Sequence, residues 1–301
     1  MRIAVLTSPE SWYFRDLARA AGSDFQLTPL AFSEIRSTIS MPPFAGSIPP
    51  FAGSSPPFTA ASGNAELIDF AAVLVRSMPP GSLEQVVFRM DVLARAEAAG
   101  VRVINPPKAM ECAIDKYLTT ARLAAHGLPT PATVCCQTAD DAMQACCDLG
   151  KDVVLKPVFG GEGRGITRIS DESLALRAFR MLEQMNAVIY VQAFVEHEGF
   201  DERLFVLGDV VLGMKRINRD DWRTNVSRGS TTEAIAVPPQ LEELALQAAR
   251  TVGTPIAGVD VLTGRDGQRY VIEVNAVPGW KALASTTGKD IARMVLEFLT
   301  Q

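Results

Sequence analysis

The stretch AGVDVLTGRDGQRYVIEVN, residues 257–275, reads as two β-strands joined by a tight turn at Gly264-Arg265-Asp266-Gly267. With Thr263 facing Gln268, Asp260 lies opposite Val271, and Glu273 and Asn275 follow Val271 at the two-residue spacing of a strand. All three side chains then share one face, while Tyr270, Ile272 and Val274 point into a core. Two carboxylates and one amide oxygen on rigid backbone are hard donors. Magnesium takes such donors, usually one or two carboxylates beside substrate phosphates. A solvated polar face on an amphipathic hairpin is the competing reading, and a register slip of one residue would turn Asp260 away.

A second feature lies upstream. DVVLKPV (152–158) is an apolar strand interrupted by Lys156; FGGEGRG (159–165) follows, then a further strand, ITRIS (166–170). Gly160, Gly161, Gly163 and Gly165 let backbone N–H groups approach an anion without a Cβ in the way. No GK[ST] follows, so this is not a Walker loop. A strand stands where a dinucleotide fingerprint needs a helix. Strand, glycine loop and strand make a flap able to fold over phosphates; an ordinary hairpin turn has the same pattern. Lys156 and Lys116, the latter opening a helix in AIDKYLTT, complete a phosphate cradle. VIYVQAFVEHEG (188–199) passes from apolar to acidic, as a strand leaving the core for a hinge would. Arg203, Arg216, Arg219, Arg223 and Arg228 cluster beyond it, suited to phosphate or carboxylate or else to a solvated basic face.

Outward from these motifs, the chain alternates strands and helices. RIAVLT (2–7), a helix over 10–21, FQLTPLAF (25–32), AAVLVR (71–76), a helix over 81–100 and VRVIN (101–105) predict a small α/β domain over 1–107 with a parallel sheet. The N-terminus reads as its first strand, since a signal peptide needs a longer apolar region. Three proline-paired repeats, PPFAGSI, PPFAGSS and PPFTAAS, occupy 42–62 at a seven-residue period. Paired prolines forbid a helix, so 36–64 is expected to be a disordered Pro/Gly/Ser-rich insertion; a docking site for a partner is the sharper alternative. A second unit, 108–195, carries the glycine loop, and a third, 196–301, carries two hairpins and two helices. These two mix hairpins with helices and are α+β in character.

The composition narrows the function. Thirty-four acidic against 29 basic residues, with no long basic run, argue against a nucleic-acid partner. No apolar run reaches the length of a membrane span. Cys135-Cys136 and Cys146-Cys147 lack CxxC zinc spacing, so the five cysteines read as apolar residues of a reducing cytoplasm.

Taken in order, AIDKYLTTARLAAHGLPTP, VVLKPVFGGEGRGI, YVQAFVEHEGFDERLFVLGDVV, RTNVSRG, AGVDVL, VIEVNAVPG and TGKDIA resemble the ATP-grasp superfamily, and within it the RimK-like carboxylate–amine ligases. The resemblance covers about residues 105–300; the first 105 fit a Rossmann-like pre-ATP-grasp domain in outline. It implies an ATP-grasp fold, ATP with one or two Mg²⁺ or Mn²⁺ ions, and an amide bond made through an acyl phosphate. The substrates implied are a carboxylate and an amine such as glutamate, with a homo-oligomer left open. It places Lys116 and Lys156 on the ATP phosphates under Gly160–Gly165. Gln192, Ala193, Phe194 and Val195 would form the adenine hinge and Asp201 would lie by the ribose. Arg223, Thr224 and Asn225 belong to the nucleotide site, with Arg203 and Arg228 as catalytic arginines at the γ-phosphate and acyl phosphate. Asp260, Glu273 and Asn275 would hold the metal. Ala193 stands where the family usually has Glu, VSRGS replaces HRGG, and Trp280-Lys281 follow the PG, so the amine remains open. LVRSMPPGSLEQVVFRMDVLARAEAAGVRVINPP and EVNAVPGW resemble a subgroup found with bacterial tetrahydromethanopterin-linked one-carbon metabolism. A phosphotransferase on the same fold, or a non-catalytic ATP-binding module, is the alternative.

Overall fold

The computed structural model describes residues 1–39, 58–161, 163–226 and 229–301. It divides into two compact units: Met1–Lys108 together with Asp290–Gln301, and Ala109–Lys289.

The first unit is built from β1 (Arg2–Leu6), α1 (Trp12–Ala21), β2 (Gln26–Leu30), β3 (Ile35–Ile39), β4 (Phe58–Ser62), β5 (Ala65–Glu66), β6 (Ala72–Val75), α2 (Leu83–Ala98) and β7 (Arg102–Ile104). Its main sheet is parallel in the order β2-β1-β6-β7. Ile3 to Leu6 and all of β6 are buried, the uninterrupted apolar pattern of strands covered on both faces. Ser82 starts α2 with a capping box, its hydroxyl accepting from the Gln85 N–H while the Gln85 side chain accepts from the Ser82 N–H.

Two expectations are corrected here. The insertion expected over 36–64 is ordered at both ends, because β3 pairs with β4 from Ile35↔Ser62 to Ile39↔Phe58. The last repeat copy, PPFTAAS, differs from the others after its Phe, and Phe58, Ala60 and Ala61 are buried. The rest of the repeat, 42–57, lies outside the described residues. The final helix, Ile291–Phe298, belongs to the first unit rather than to the last third of the chain. Its N-cap Asp290 takes a paired contact from Arg19 of α1, and Arg293 bridges to Asp24.

α3 (Pro107–Ile114) carries the chain into the second unit, where α4 (Lys116–Ala125), capped by Asp115, follows. Next come β8 (Thr133–Cys136), α5 (Ala139–Asp148), β9 (Val153–Lys156), β10 (Thr167–Ile169), α6 (Glu172–Gln184) and β11 (Ile189–Ala193). The four strands form an antiparallel sheet, β10-β9-β11-β8. Alternation gives it two unlike faces. Val153, Ile169, Ile189 and Val191 pack on Ala142, Cys146, Ala175 and Phe179 of α5 and α6. Thr133, Tyr190, Gln192 and Lys156 occupy the other face, since Thr133 pairs with Gln192 and Tyr190 with Lys156.

The remainder adds β12 (Phe200–Leu207), β13 (Val210–Ile217), β14 (Thr231–Ile235), α7 (Pro239–Val252), β15 (Ile256–Thr263), β16 (Arg269–Asn275) and α8 (Lys281–Thr287). Their antiparallel sheet runs β14-β13-β12-β15-β16. Leu204, Val206, Val259, Val261, Val271 and Val274 face α4 and α7 in one apolar cluster. Asp201, Arg203, Arg216 and Asp260 take the opposite face, brought level by the pairs Asp201↔Arg216 and Arg203↔Asp260.

Candidate active site

The polar faces of the two sheets line one open cavity of about 830 Å³. Its described walls carry five cationic side chains, Lys116, Lys156, Arg164, Arg216 and Arg223, against three carboxylates, Asp201, Asp260 and Glu273. That excess of positive charge suits a polyanion.

The hairpin that ends the sheet differs from its expected register in two ways. Thr263 faces Arg269, not Gln268, and a bulge falls between Asp260 and Val261, so Asp260 stands directly opposite Glu273. The one-residue slip and the one-residue bulge add to a two-residue shift, one full strand period, so both carboxylates keep one face. The bulge has a second effect: Val271 and Val274 enter the core, while Ile272 turns to the cavity. Asn275 lies opposite Gly258, and its Oδ1 accepts from the Val277 N–H at 2.8 Å.

Asp260 is not free. Arg203 Nε lies 2.5 Å from one carboxylate oxygen, and Arg216 Nη2 lies 2.9 Å from the other. Arg216 also grips both oxygens of Asp201, which is 1% exposed. Burial works against the Arg216 charge, but Asp260 and Asp201 more than offset it and hold the guanidinium ionised. Asp201, expected at a ribose, therefore has its oxygens occupied by Arg216, with buried Thr224 as a further partner. Glu273 differs: among the described residues its carboxylate makes no hydrogen bond or ion pair, and it lines the cavity within electrostatic reach of Lys116 and Lys156. Among those residues no three His, Cys, Asp or Glu side chains assemble a metal cage. Glu273, faced by an Asp260 whose oxygens are shared with the two arginines, fits a magnesium ion that completes its shell with phosphate and water.

Lys156 sits on the other sheet, and Lys116 opens α4, the helix packed on the five-stranded sheet. Lys116 Nζ donates to the Gly160 carbonyl at 2.5 Å, which fastens the flap to the first turn of α4. Lys156 Nζ donates to Gln192 Oε1 at 2.6 Å. Burial lowers the Lys156 pKa to about 8, with Lys116 adding to the effect and Glu273 and Asp260 opposing it. Burial also lowers Lys116, against the pull of Glu273 and Asp115.

Gly160, Gly163 and Gly165 have φ of 126°, 71° and 73°, which side chains rarely adopt; Gly161 has open space around it. At Gly163 a Cβ would also meet Asn225 Oδ1 at 2.5 Å, so the flap closes against the Arg223-Thr224-Asn225 loop. Arg223 is paired with Asp221. Arg228, expected to be catalytic, lies outside the described residues.

Gln192, Ala193, Phe194 and Val195 all line the cavity. The Ala193 and Phe194 N–H groups are used by Ala132 and Asp152 carbonyls, whereas the Val195 N–H donates to none of the described residues. The Gln192 side chain turns away from this edge toward Lys156. Trp222 packs edge-on against Phe194, with ring centroids 5.7 Å apart, and lines the cavity with Leu262 and Ile272. Sequence reading missed Trp222 and His197, although Trp222 immediately precedes the Arg223-Thr224-Asn225 run. His197 accepts from the Gly199 N–H through Nδ1 at 3.2 Å and also bonds the Trp222 backbone; burial lowers its pKa.

A glycine loop beside one sheet and facing carboxylates on another, lining a single cavity, are the arrangement expected of an ATP-grasp fold. Sequence comparison agrees: the RimK-like ATP-grasp domain matches residues 113–299, and the chain belongs to that family. It is 30% identical to the tetrahydromethanopterin:alpha-L-glutamate ligase of Methanosarcina acetivorans, over 98% of this chain and 97% of that one. The corresponding ligase of Methanocaldococcus jannaschii is 36% identical over 71% of this chain and 75% of its own. Among solved structures, the RimK-domain ATP-grasp protein of Sphaerobacter thermophilus superposes with a TM-score of 0.69, at 23% identity and full coverage of both chains. The ATP-grasp ligase PsnB complexed with minimal precursor superposes at 0.72 with 21% identity, over 99% of this chain and 97% of its own, which speaks to fold. The chain is an ATP-dependent ligase that forms C–N bonds.

Proposed function

We propose that this chain joins the amino group of L-glutamate to a carboxylate of a small pterin-type acceptor. The relatives named above support that substrate pair, and the match to the ligase of Methanosarcina acetivorans spans nearly the whole of both chains. The observation that carries the site reading is Glu273, without a protein partner among the described residues, in a cavity with Lys116 and Lys156. A carboxylate left open beside ammonium groups suits a cation–polyphosphate pair.

In this reading Lys116, Lys156 and the N–H groups around Gly160, Gly161, Gly163 and Gly165 bind the polyphosphate. The open Val195 N–H meets the adenine edge, between Phe194, Leu262, Ile272 and Trp222. Asp201 serves to hold Arg216 rather than the ribose. Asp260, Glu273 and Asn275 hold one or two magnesium ions. Magnesium, when bound, shields charge on the transferring phosphoryl group. Arg203, Arg223 and Arg228 then meet that group and the acyl phosphate. An acceptor carboxylate oxygen attacks the γ-phosphorus and ADP leaves. The glutamate nitrogen attacks the acyl carbon, phosphate leaves with the C–O bonding pair, and the nitrogen gives up its proton. The Lys116–Gly160 contact keeps the flap down, which excludes water from the acyl phosphate. The five unpaired cysteines suit a reducing cytoplasm, where ATP is available.

The test is phosphate release against a panel of acids, reduced pterins included, with and without L-glutamate. Release that needs both is expected. A phosphorylated acid accumulating without any amine requirement would instead indicate a phosphotransferase.

A further inference from the structure

Gln192 is 3% exposed and makes three hydrogen bonds that leave its amide one orientation. Oε1 accepts from Lys156 Nζ at 2.6 Å, and an ammonium can only donate. Nε2 donates to Thr133 Oγ1 at 2.8 Å and to Tyr190 Oη at 3.2 Å. Thr133 has already committed its hydroxyl proton to the Pro131 carbonyl at 2.8 Å, so toward Gln192 it can only accept. A flipped amide would set NH₂ against ammonium and oxygen against an oxygen with no proton to give. Tyr190, 1% exposed, shares a 2.8 Å hydrogen bond with Thr120, one helical turn beyond Lys116 on α4. One hydrogen-bonded chain thus runs from α4 through Tyr190 and Gln192 to Lys156, joining the two lysine-bearing elements.

From this geometry we infer that Gln192 is a positioning residue for Lys156 rather than a contact to the nucleobase. With Tyr190, Thr133 and Thr120 it sets the ammonium against the same polyphosphate that Lys116 meets. The inference rests on the nucleotide reading of the cavity. Strand geometry supports it: Thr133 is directly opposite Gln192, and Lys156 is opposite Tyr190, the diagonal neighbour on the same face. A leucine at 192 would leave Lys156 without this acceptor and free among rotamers, and would leave the Tyr190 hydroxyl without its Gln192 donor.

The test measures ATP binding by calorimetry and adenosine binding by NMR titration, on wild type, Gln192→Leu and Tyr190→Phe. Gln192→Leu should weaken ATP about tenfold, the scale of one hydrogen bond to a charged group, and leave adenosine unchanged. Tyr190→Phe removes a group outside the cavity lining and should weaken ATP about threefold, again sparing adenosine. An equal loss for adenosine and ATP would make Gln192 a hinge or scaffold residue and overturn the inference. Unchanged ATP affinity in both variants would overturn it as well. If wild type bound neither ligand, the nucleotide reading itself would fall, an outcome distinct from the other two.

Discussion

The two sheets that bound the cavity satisfy their charges in opposite ways. On the four-stranded sheet Lys156 leans on a neutral amide, and Lys116, from the start of α4, reaches to the neutral carbonyl of Gly160 in the loop that follows Lys156. On the five-stranded sheet Arg203 and Arg216 are bound into carboxylates, Asp201 and Asp260. A lysine with a neutral partner keeps its charge unmatched and ready for an anion. An arginine between two buried carboxylates is already neutralised and works first as scaffold. One wall is thus poised for ligand, and the other is prestressed by ion pairs, with Glu273 its open carboxylate.

The contrast can be broken from either side. The largest effect is expected at the open carboxylate: Glu273→Gln should cut phosphate release by about 10³-fold. Its thermal unfolding should stay close to wild type, since the substitution keeps the strand pairing and the Glu273 carboxylate makes no hydrogen bond or ion pair among the described residues. Normal turnover would refute its metal role. On the scaffold side, Arg216→Met leaves Asp201 and Asp260 without their shared partner in a buried setting. A loss of about 3–5 kcal/mol in denaturant unfolding is expected. A loss near zero would show that the arginine is not structural.

On the lysine side, pH is the lever. Lys156 is charged below its pKa of about 8 and neutral above it, so its attraction for phosphate is present at pH 7 and fades as pH rises. ATP affinity should therefore drop about tenfold between pH 7 and pH 9, with proton uptake on binding near pH 8. Calorimetry in buffers of differing ionisation heat would show both, and Lys156→Arg should abolish both. The smallest effect belongs to Thr133→Val, which removes one of two acceptors holding the Gln192 amide; ATP should weaken about twofold.

Much of this was legible in the residues, and what was not has identifiable causes. The family showed itself through motifs in order, because glycines, isolated lysines in apolar strands and alternating carboxylates each answer to local geometry. The hairpin core did not. Counting by twos from Thr263 sends Ile272 inward, yet Val271 and Val274 are the residues packed against α4 and α7. A bulge is chosen by how side chains fit the opposing layer, and no local signal marks it. Likewise β14 and α8 were missed, and PPFTAAS read as part of a repeat although Phe58 is buried on a paired strand. Pairing partners distant in sequence decide such cases.

The sequence by itself determined the alternation of strands and helices, the flap, and the residue types that meet in the cavity, since periodicity and glycine placement act over a few residues. Only the tertiary structure decided which charges are already matched. Whether Asp260 meets Arg203, Asp201 meets Arg216 or Gln192 meets Lys156 depends on register between strands far apart in the chain. A hydrogen bond exists only within about 3 Å, a distance that spacing along the chain does not specify.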